Sequence, residues 1–304
     1  MSKQPKRRPQ ARKGRTVVAA SSAGKRSDRT SWIIAGIVIA VGVALIFVFA
    51  SGQKKSSDGP ITGRNPAPAS LVKQITTVPQ SVIDEVGAGS VTALPEKLPG
   101  PTLTKDGKPL VVYLGAEYCP YCATERWAMV NALSRFGTFK DLKITTSSAT
   151  DVDANTPTWS FYGSTYTSPY ITYQGIEQQD NKGNPLETPT ADQQNLVNKY
   201  DKAPYVSGGG TTSGGTIPFI DIANQYIVSG AQYDVGVLQG KTHAEIAAAL
   251  HDPTSDISKG AIGAANSLTA AICVVTENKP ANVCTSPAIK TIQSQLPTKV
   301  NSSS

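Results

Sequence analysis

The chain has 304 residues, with 29 Lys or Arg against 22 Asp or Glu, a net charge of +7 and four cysteines. That length leaves room for an anchor, a linker and one domain of ordinary size. Residues 1–31 hold ten basic residues and one acidic residue, Asp28, whereas the remainder holds 19 basic and 21 acidic residues. The basic surplus therefore belongs to a leader, and the near-neutral remainder excludes nucleic acid as the partner that the charge would select.

Residues 32–50 contain only apolar side chains and glycine. As a helix they span ~28 Å, close to the hydrocarbon thickness of a bilayer. Basic residues crowd the preceding flank, so the positive-inside rule predicts a cytoplasmic leader, a single pass through the lipid bilayer of the cell membrane, and an extracytoplasmic remainder. A cleaved signal peptide is the rival, because Val48-Phe49-Ala50 resembles a small-residue cleavage site. Nineteen apolar residues exceed a usual signal-peptide core, however. Both readings export the domain. Residues 51–70, rich in Gly, Pro and polar side chains, make a linker. The domain occupies residues 71–296, and 297–304 are a short tail.

Four cysteines in an exported chain point to disulfide chemistry. Cys119 and Cys122 are paired by proximity, which leaves Cys273 for Cys284. The chain-entropy model credits the longer loop with roughly 3 kcal/mol and the tiny one with less. The distal pair thus suits a staple and the Cys-X-X-Cys a redox couple. A relay passing electrons between the two pairs is the alternative for Cys273 and Cys284. A Cys₄ zinc site fits poorly, because the second half lacks short ligand spacing. Neither a metal nor a cofactor is expected.

Along the domain, residues 70–86 carry a helix-like apolar pattern interrupted by Pro79, which predicts two short helices. Residues 91–104, with Pro95, Pro99 and Pro101, are irregular. Asp106-Gly107-Lys108 is a turn. It delivers the chain into Leu110-Val111-Val112-Tyr113-Leu114, an apolar run that reads as a buried strand. The strand breaks at Gly115, and a helical pattern begins at Pro120. Cys119 then stands at the N-cap with Pro120 at N1, where a missing N–H costs nothing. The helix dipole and the free N–H groups of the first turn favour the thiolate of Cys119, and Cys122 is close enough to close a disulfide.

Strand, Cys119-Pro120-Tyr121-Cys122 and helix come in the order that resembles the thioredoxin-like superfamily. The whole stretch from about residue 65 to 296 resembles domain-of-unknown-function family 929, a thioredoxin-like prokaryotic family. The resemblance implies an α/β, thioredoxin-like fold with a large insert, residues 147–215, before a cis-proline strand, and with extra C-terminal helices. Gly215-Thr216-Ile217-Pro218 fits the cis-proline position, with Pro218 facing the Cys pair and the Ile217 backbone free to pair with an extended substrate. Tyr118 replaces the tryptophan that often precedes the motif. Tyr113 stands six residues before Cys119, where many thioredoxins keep a buried acid. Glu117 is the nearest carboxylate in sequence, with solvent exposure one reading for it. These departures count against efficient reduction and leave oxidation or isomerisation untouched.

The helix after the motif should run to a stop at Gly137, with Trp127, Val130, Leu133 and Phe136 as its inward stripe. Residues 142–146 read as the next strand, parallel to the first by the superfamily pattern. The insert holds Trp159, Phe161, Tyr162, Tyr166, Tyr170 and Tyr173, which either line a peptide groove or pack the insert on the sheet. Residues 171–176 suit a further strand and 191–201 a helix. Phe219–Ile222 and residues 226–228 form a hairpin through Asn224. Thr242-His243-Ala244-Glu245 is a capping box. His243 and His251, at the ends of the helix that follows, suit cap and dipole roles. Residues 256–275 and 287–296 are helical in pattern.

The expected function is a membrane-tethered thiol–disulfide oxidoreductase acting on the thiols or disulfides of exported proteins, with a membrane redox partner. The alternative is a non-catalytic binding module that holds an envelope partner through the Tyr-rich insert.

Overall fold

The computed structural model describes residues 63–206 and 216–300. The leader, the expected span 32–50, most of the linker, residues 207–215 and the last four residues lie outside the described residues. The fold is mixed α/β, with eight helices among the described residues. In chain order these begin with β1 (Asn65–Pro66), α1 (Ala69–Thr76), α2 (Gln80–Val86), β2 (Glu96–Lys97), β3 (Thr104–Lys105), β4 (Lys108–Gly115) and α3 (Pro120–Ser134). Next come β5 (Thr138–Lys140), β6 (Lys143–Thr146), β7 (Pro157–Ser160), β8 (Thr165–Thr167), β9 (Thr172–Glu177) and α4 (Ala191–Tyr200). The chain continues with β10 (Phe219–Ile222), β11 (Tyr226–Ser229), α5 (His243–Ala249), α6 (Asp256–Val275), α7 (Ala281–Cys284) and α8 (Pro287–Gln295).

The largest sheet is organised around β4. Asp106 and Gly107 both have positive φ, the requirement of a tight hairpin turn, and they fold β3 back onto the start of β4. On one side β9 runs parallel to β4, from Leu110↔Thr172 to Gly115↔Glu177. On the other side β10 is antiparallel, from Phe219↔Leu114 to Ile222↔Val111, and is followed outward by β11 and β2. Alternation along β4 feeds two cores. Val111 and Tyr113 face α3 and α6, whereas Leu110, Val112 and Leu114 join Val197 and Tyr200 of α4 on the opposite face. Helices thus cover both faces of the strand that leads to the cysteines.

A strand forms over residues 143–146, but it is not the parallel neighbour of β4. It pairs antiparallel with β1 and β7 in a separate three-stranded sheet. The parallel neighbour is β9, which lies inside the stretch expected as insert. Its half-exposed Thr172 and Gln174 belong to a sheet edge, where an apolar run is not required. Much of the added chain, β5 to β8, therefore sits within the crossover from α3 to β9.

Gly137 is also not a left-handed stop. Helix α3 ends at Ser134 with Arg135 still right-handed. Gly137 lacks a side chain because a Cβ there would collide with the Thr167 carbonyl. Trp127, Val130 and Leu133 of the expected stripe are buried in α3, Phe136 is buried just past its end, and of the other residues of the helix all but Tyr121 and Ser134 are buried. The two histidines do more than cap. His243 is buried, with Nε2 3.0 Å and 2.9 Å from the carbonyls of Thr145 and Thr158, so it ties α5 to β6 and β7. His251 Nε2 lies 3.0 Å from the Gln74 carbonyl and ties the same region to α1.

Helix α6 is long and apolar enough to cross a membrane, and it is buried within the fold. A helix apolar all round suits a position enclosed by protein. It packs on α3, α2 and α8, and the Cys273–Cys284 disulfide joins its end to α7. Gly263 admits the backbone of Ala88 and Gly89 against it.

Two predictions follow from this packing. Helix propensity alone favours alanine over glycine by about 1 kcal/mol. Gly263→Ala should nevertheless destabilise the chain by about 2 kcal/mol in urea unfolding, because the added methyl meets backbone that cannot rotate away. Burial also pushes the carboxyls of Glu125 and Asp221 up to about 7, against backbone N–H groups of Gln232 and Asn224 that pull the other way. Unfolding releases these protons near pH 4, so between about pH 4 and 7 the folded state binds more protons and stability falls as pH rises. Glu125→Gln and Asp221→Asn should each flatten that fall and raise stability at pH 8 by about 2 kcal/mol.

Candidate functional site

The site forms where β4 hands over to α3. Gly115 ends the strand, three residues turn the chain, and Cys119 takes the N-cap position in extended conformation, with φ −76° and ψ 122°. Its Sγ accepts the backbone N–H of Cys122 at 3.3 Å, the bond that a capping oxygen would otherwise accept. Pro120 follows at N1. Cys119 and Cys122 are both unbridged thiols. The Cys119 thiol lies below its ordinary value. A hydrogen bond from the Cys122 side chain is the main cause, burial opposes it, and the Cys122 N–H, Arg126 and the Tyr121 N–H add to it. Burial pushes the Cys122 thiol well up, and the adjacent Cys119 raises it further.

Cys119 is not exposed: only 5% of its surface meets solvent, because Ile217 closes over it. The Ile217 carbonyl accepts from Cys119 Sγ at 3.7 Å, and the Ile217–Pro218 peptide is cis. Tyr121 is the open residue of the motif, at 47% exposure. Beside the cysteine lies a groove of about 420 Å³ lined by Ala116, Tyr118, Gln178, Gln179, Thr188 and Ile217. Tyr118 is half-buried there, and burial with the two neighbouring cysteines raises its phenol.

Glu117 is buried as well. It pairs with Arg64 at 3.1 Å and accepts the hydroxyl of Ser160 from β7. The second sheet and the start of the domain therefore draw this carboxylate away from the cysteines. Phe161, Tyr166 and Tyr173 of the insert pack inward rather than line the groove. Phe139 meets Phe161, Tyr166 and Tyr173, and Phe161 meets Tyr113. Cys273 and Cys284 are both fully buried in their own bridge.

The sequence reading missed a buried ion pair beneath the motif. Arg126 donates to Glu177 through Nε at 2.8 Å and Nη2 at 2.6 Å, and Nη2 also reaches the Ala116 carbonyl at 2.7 Å. Both side chains are fully buried. Burial works against the guanidinium charge, but Glu177 overrides it and holds Arg126 above its ordinary value. The available signal was its spacing: Arg126 lies four residues after Cys122 on the same helical face. Its acid, 51 residues on, carries no such mark.

In the reduced protein at pH 7, iodoacetamide should label Cys119 at least about tenfold faster than Cys122, since the thiolate is the reacting species. Peptide mass spectrometry after timed quenching checks the order, and labelling of Cys122 first would contradict the site as described. No curated protein and no solved structure matches the chain. A family model described as Domain of unknown function (DUF929) matches residues 96–274, more than half of the chain. That span covers β2 to α6 with both cysteines of the motif, and the chain belongs to this family of unknown function.

Proposed function

We propose that the chain is a membrane-tethered, extracytoplasmic thiol–disulfide oxidoreductase of thioredoxin-like build, an oxidase or isomerase of exported proteins. The observation that carries this reading is the setting of one sulfur. Cys119 Sγ accepts the N–H of Cys122 at a helix start and lies 3.7 Å from the carbonyl that precedes a cis-proline. The strand order β9-β4-β10-β11, with β9 parallel to β4 and the others antiparallel, supports the thioredoxin-like part. The membrane tether rests on residues 32–50 of the sequence.

The chemistry is thiol–disulfide exchange. From the reduced form, the Cys119 thiolate attacks a client disulfide and forms a mixed disulfide, which Cys122 then resolves. From the oxidised form, a client thiolate attacks Cys119 and the same steps run in reverse. Direction follows from how the two sulfurs carry charge. A stabilised Cys119 thiolate makes the reduced form more stable and the couple more oxidising. Tyr113 leaves the strand without a carboxylate to take the Cys122 proton, and Glu117 is engaged with Arg64 and Ser160. Both features lean toward oxidation.

The test uses the full chain in detergent and reduced, denatured ribonuclease in a glutathione buffer, with recovery of ribonuclease activity as the readout. The wild type should speed recovery over buffer alone, and Cys119→Ser should abolish the gain. Cys122→Ser should accumulate mixed disulfides on non-reducing gels. A Cys119→Ser chain that retains the full gain would end the enzyme reading.

A further inference from the structure

Two buried donors near the dithiol have nothing to donate to. Arg126 spends Nε and Nη2 on Glu177 and Ala116, yet its Nη1 has no partner. The hydroxyl of Tyr113 is likewise unpartnered, in a side chain with no exposed surface. A donor left unpaired inside a protein is costly, so two in one place call for an acceptor that comes and goes.

The acceptor is at hand. Cys122 is fully buried and lies one helical turn before Arg126 on the same face of α3. The Ala116 backbone lies by the Cys122 sulfur and pulls its thiol down, while the carbonyl of the same residue is held by Arg126. The Tyr113 hydroxyl rises along β4 to Gly115, where any side chain would collide with it. The Arg126 guanidinium stands 5.9 Å from the Tyr113 ring. Arg126, Tyr113 and Cys122 thus converge on the turn at Gly115 and Ala116. The charged or titratable groups facing the Cys122 sulfur are Cys119, Arg126, Tyr113 and Tyr118.

We infer that Arg126, clamped by Glu177, and the Tyr113 hydroxyl are positioning residues that stabilise the Cys122 sulfur as it departs as a thiolate, which speeds the attack of a client thiolate on the oxidised pair. This rests on the oxidoreductase reading above and names the groups that serve its leaving sulfur. A client thiolate attacks Cys119 of the oxidised pair. The Cys119–Cys122 bond breaks, its electron pair goes to Cys122, and a client–Cys119 bond forms. A second client thiolate then attacks the client sulfur, and the electron pair of the mixed disulfide goes to Cys119. The client is oxidised by two electrons and the enzyme disulfide is reduced by two. The protons shed by the two client thiols balance those taken up by the dithiol. Neither a neutral thiol nor a disulfide at Cys122 meets the two donors as a thiolate does.

The test is the rate at which reduced glutathione opens the oxidised pair of the full chain in detergent at pH 7, read by acid quench at set times and counting of free thiols. Tyr113→Phe removes only the hydroxyl and should slow that opening about fivefold. The double variant Arg126→Met, Glu177→Gln removes the cation with its counter-ion and should slow it by about tenfold or more. Arg126→Lys, which keeps the charge, should fall between the double variant and the wild type. Thermal melts report whether each variant folds. If the double variant does not, Tyr113→Phe decides alone. Folded variants opened at within twofold of the wild-type rate would overturn this inference and leave the oxidoreductase reading standing. A wild-type chain that never exchanges with glutathione would overturn both.

Discussion

One buried ion pair joins the parts on which the site depends. Arg126 comes from α3, Glu177 from the end of β9, and the Ala116 carbonyl from the turn that leaves β4. Two fully desolvated charges are a poor way to gain stability, since their attraction is largely cancelled by the water they give up. Removing one partner alone would cost about 3–5 kcal/mol. What the pair supplies is register. It fixes the start of α3 against the end of β4, and that is the distance that must be right for Cys119 to cap the helix and for Cys122 to lie under it.

The residues before and within the crossover then shape what the cysteines see. The sheet formed by β1, β6 and β7 brings Ser160 to Glu117, and the start of the domain brings Arg64 to the same carboxylate. The aromatic cluster around Phe139 and Phe161 closes beneath Tyr113 and keeps that side chain dry. A carboxylate two residues from the motif is thereby removed from the sulfurs, and a phenol takes the position under the strand. The added chain thus acts on the site through Glu117 and Tyr113.

Much of this was legible in the sequence wherever a local signal was sufficient. The apolar run at residues 110–114, the Cys-Pro-Tyr-Cys step, the Thr242 capping box and Pro79 each act on their immediate neighbours, and each produced the element expected. Ile217–Pro218 is cis where the order of motifs placed it. What stayed hidden depends on partners far along the chain. Glu177 ends a stretch that reads as a strand, but nothing in that pattern ties it to Arg126, 51 residues earlier. Gly137 has the look of a helix stop, but its reason is a carbonyl 30 residues later. The burial of Glu117 needs Arg64 and Ser160, and His243 crosses to two carbonyls almost a hundred residues upstream. Local pattern cannot report contacts that only the tertiary fold creates.

The Cys273–Cys284 bridge has a consequence of its own. A molecule that trades sulfur–sulfur bonds with others carries a hazard, because its own covalent brace is made of the same material and could be swapped by mistake. Here both sulfurs of the brace have no exposed surface, walled in by α6, α7 and α8. Under the proposed exchange chemistry, enclosure by three helices would keep the fixed bond away from a client, whereas Cys119 lies beside an open groove.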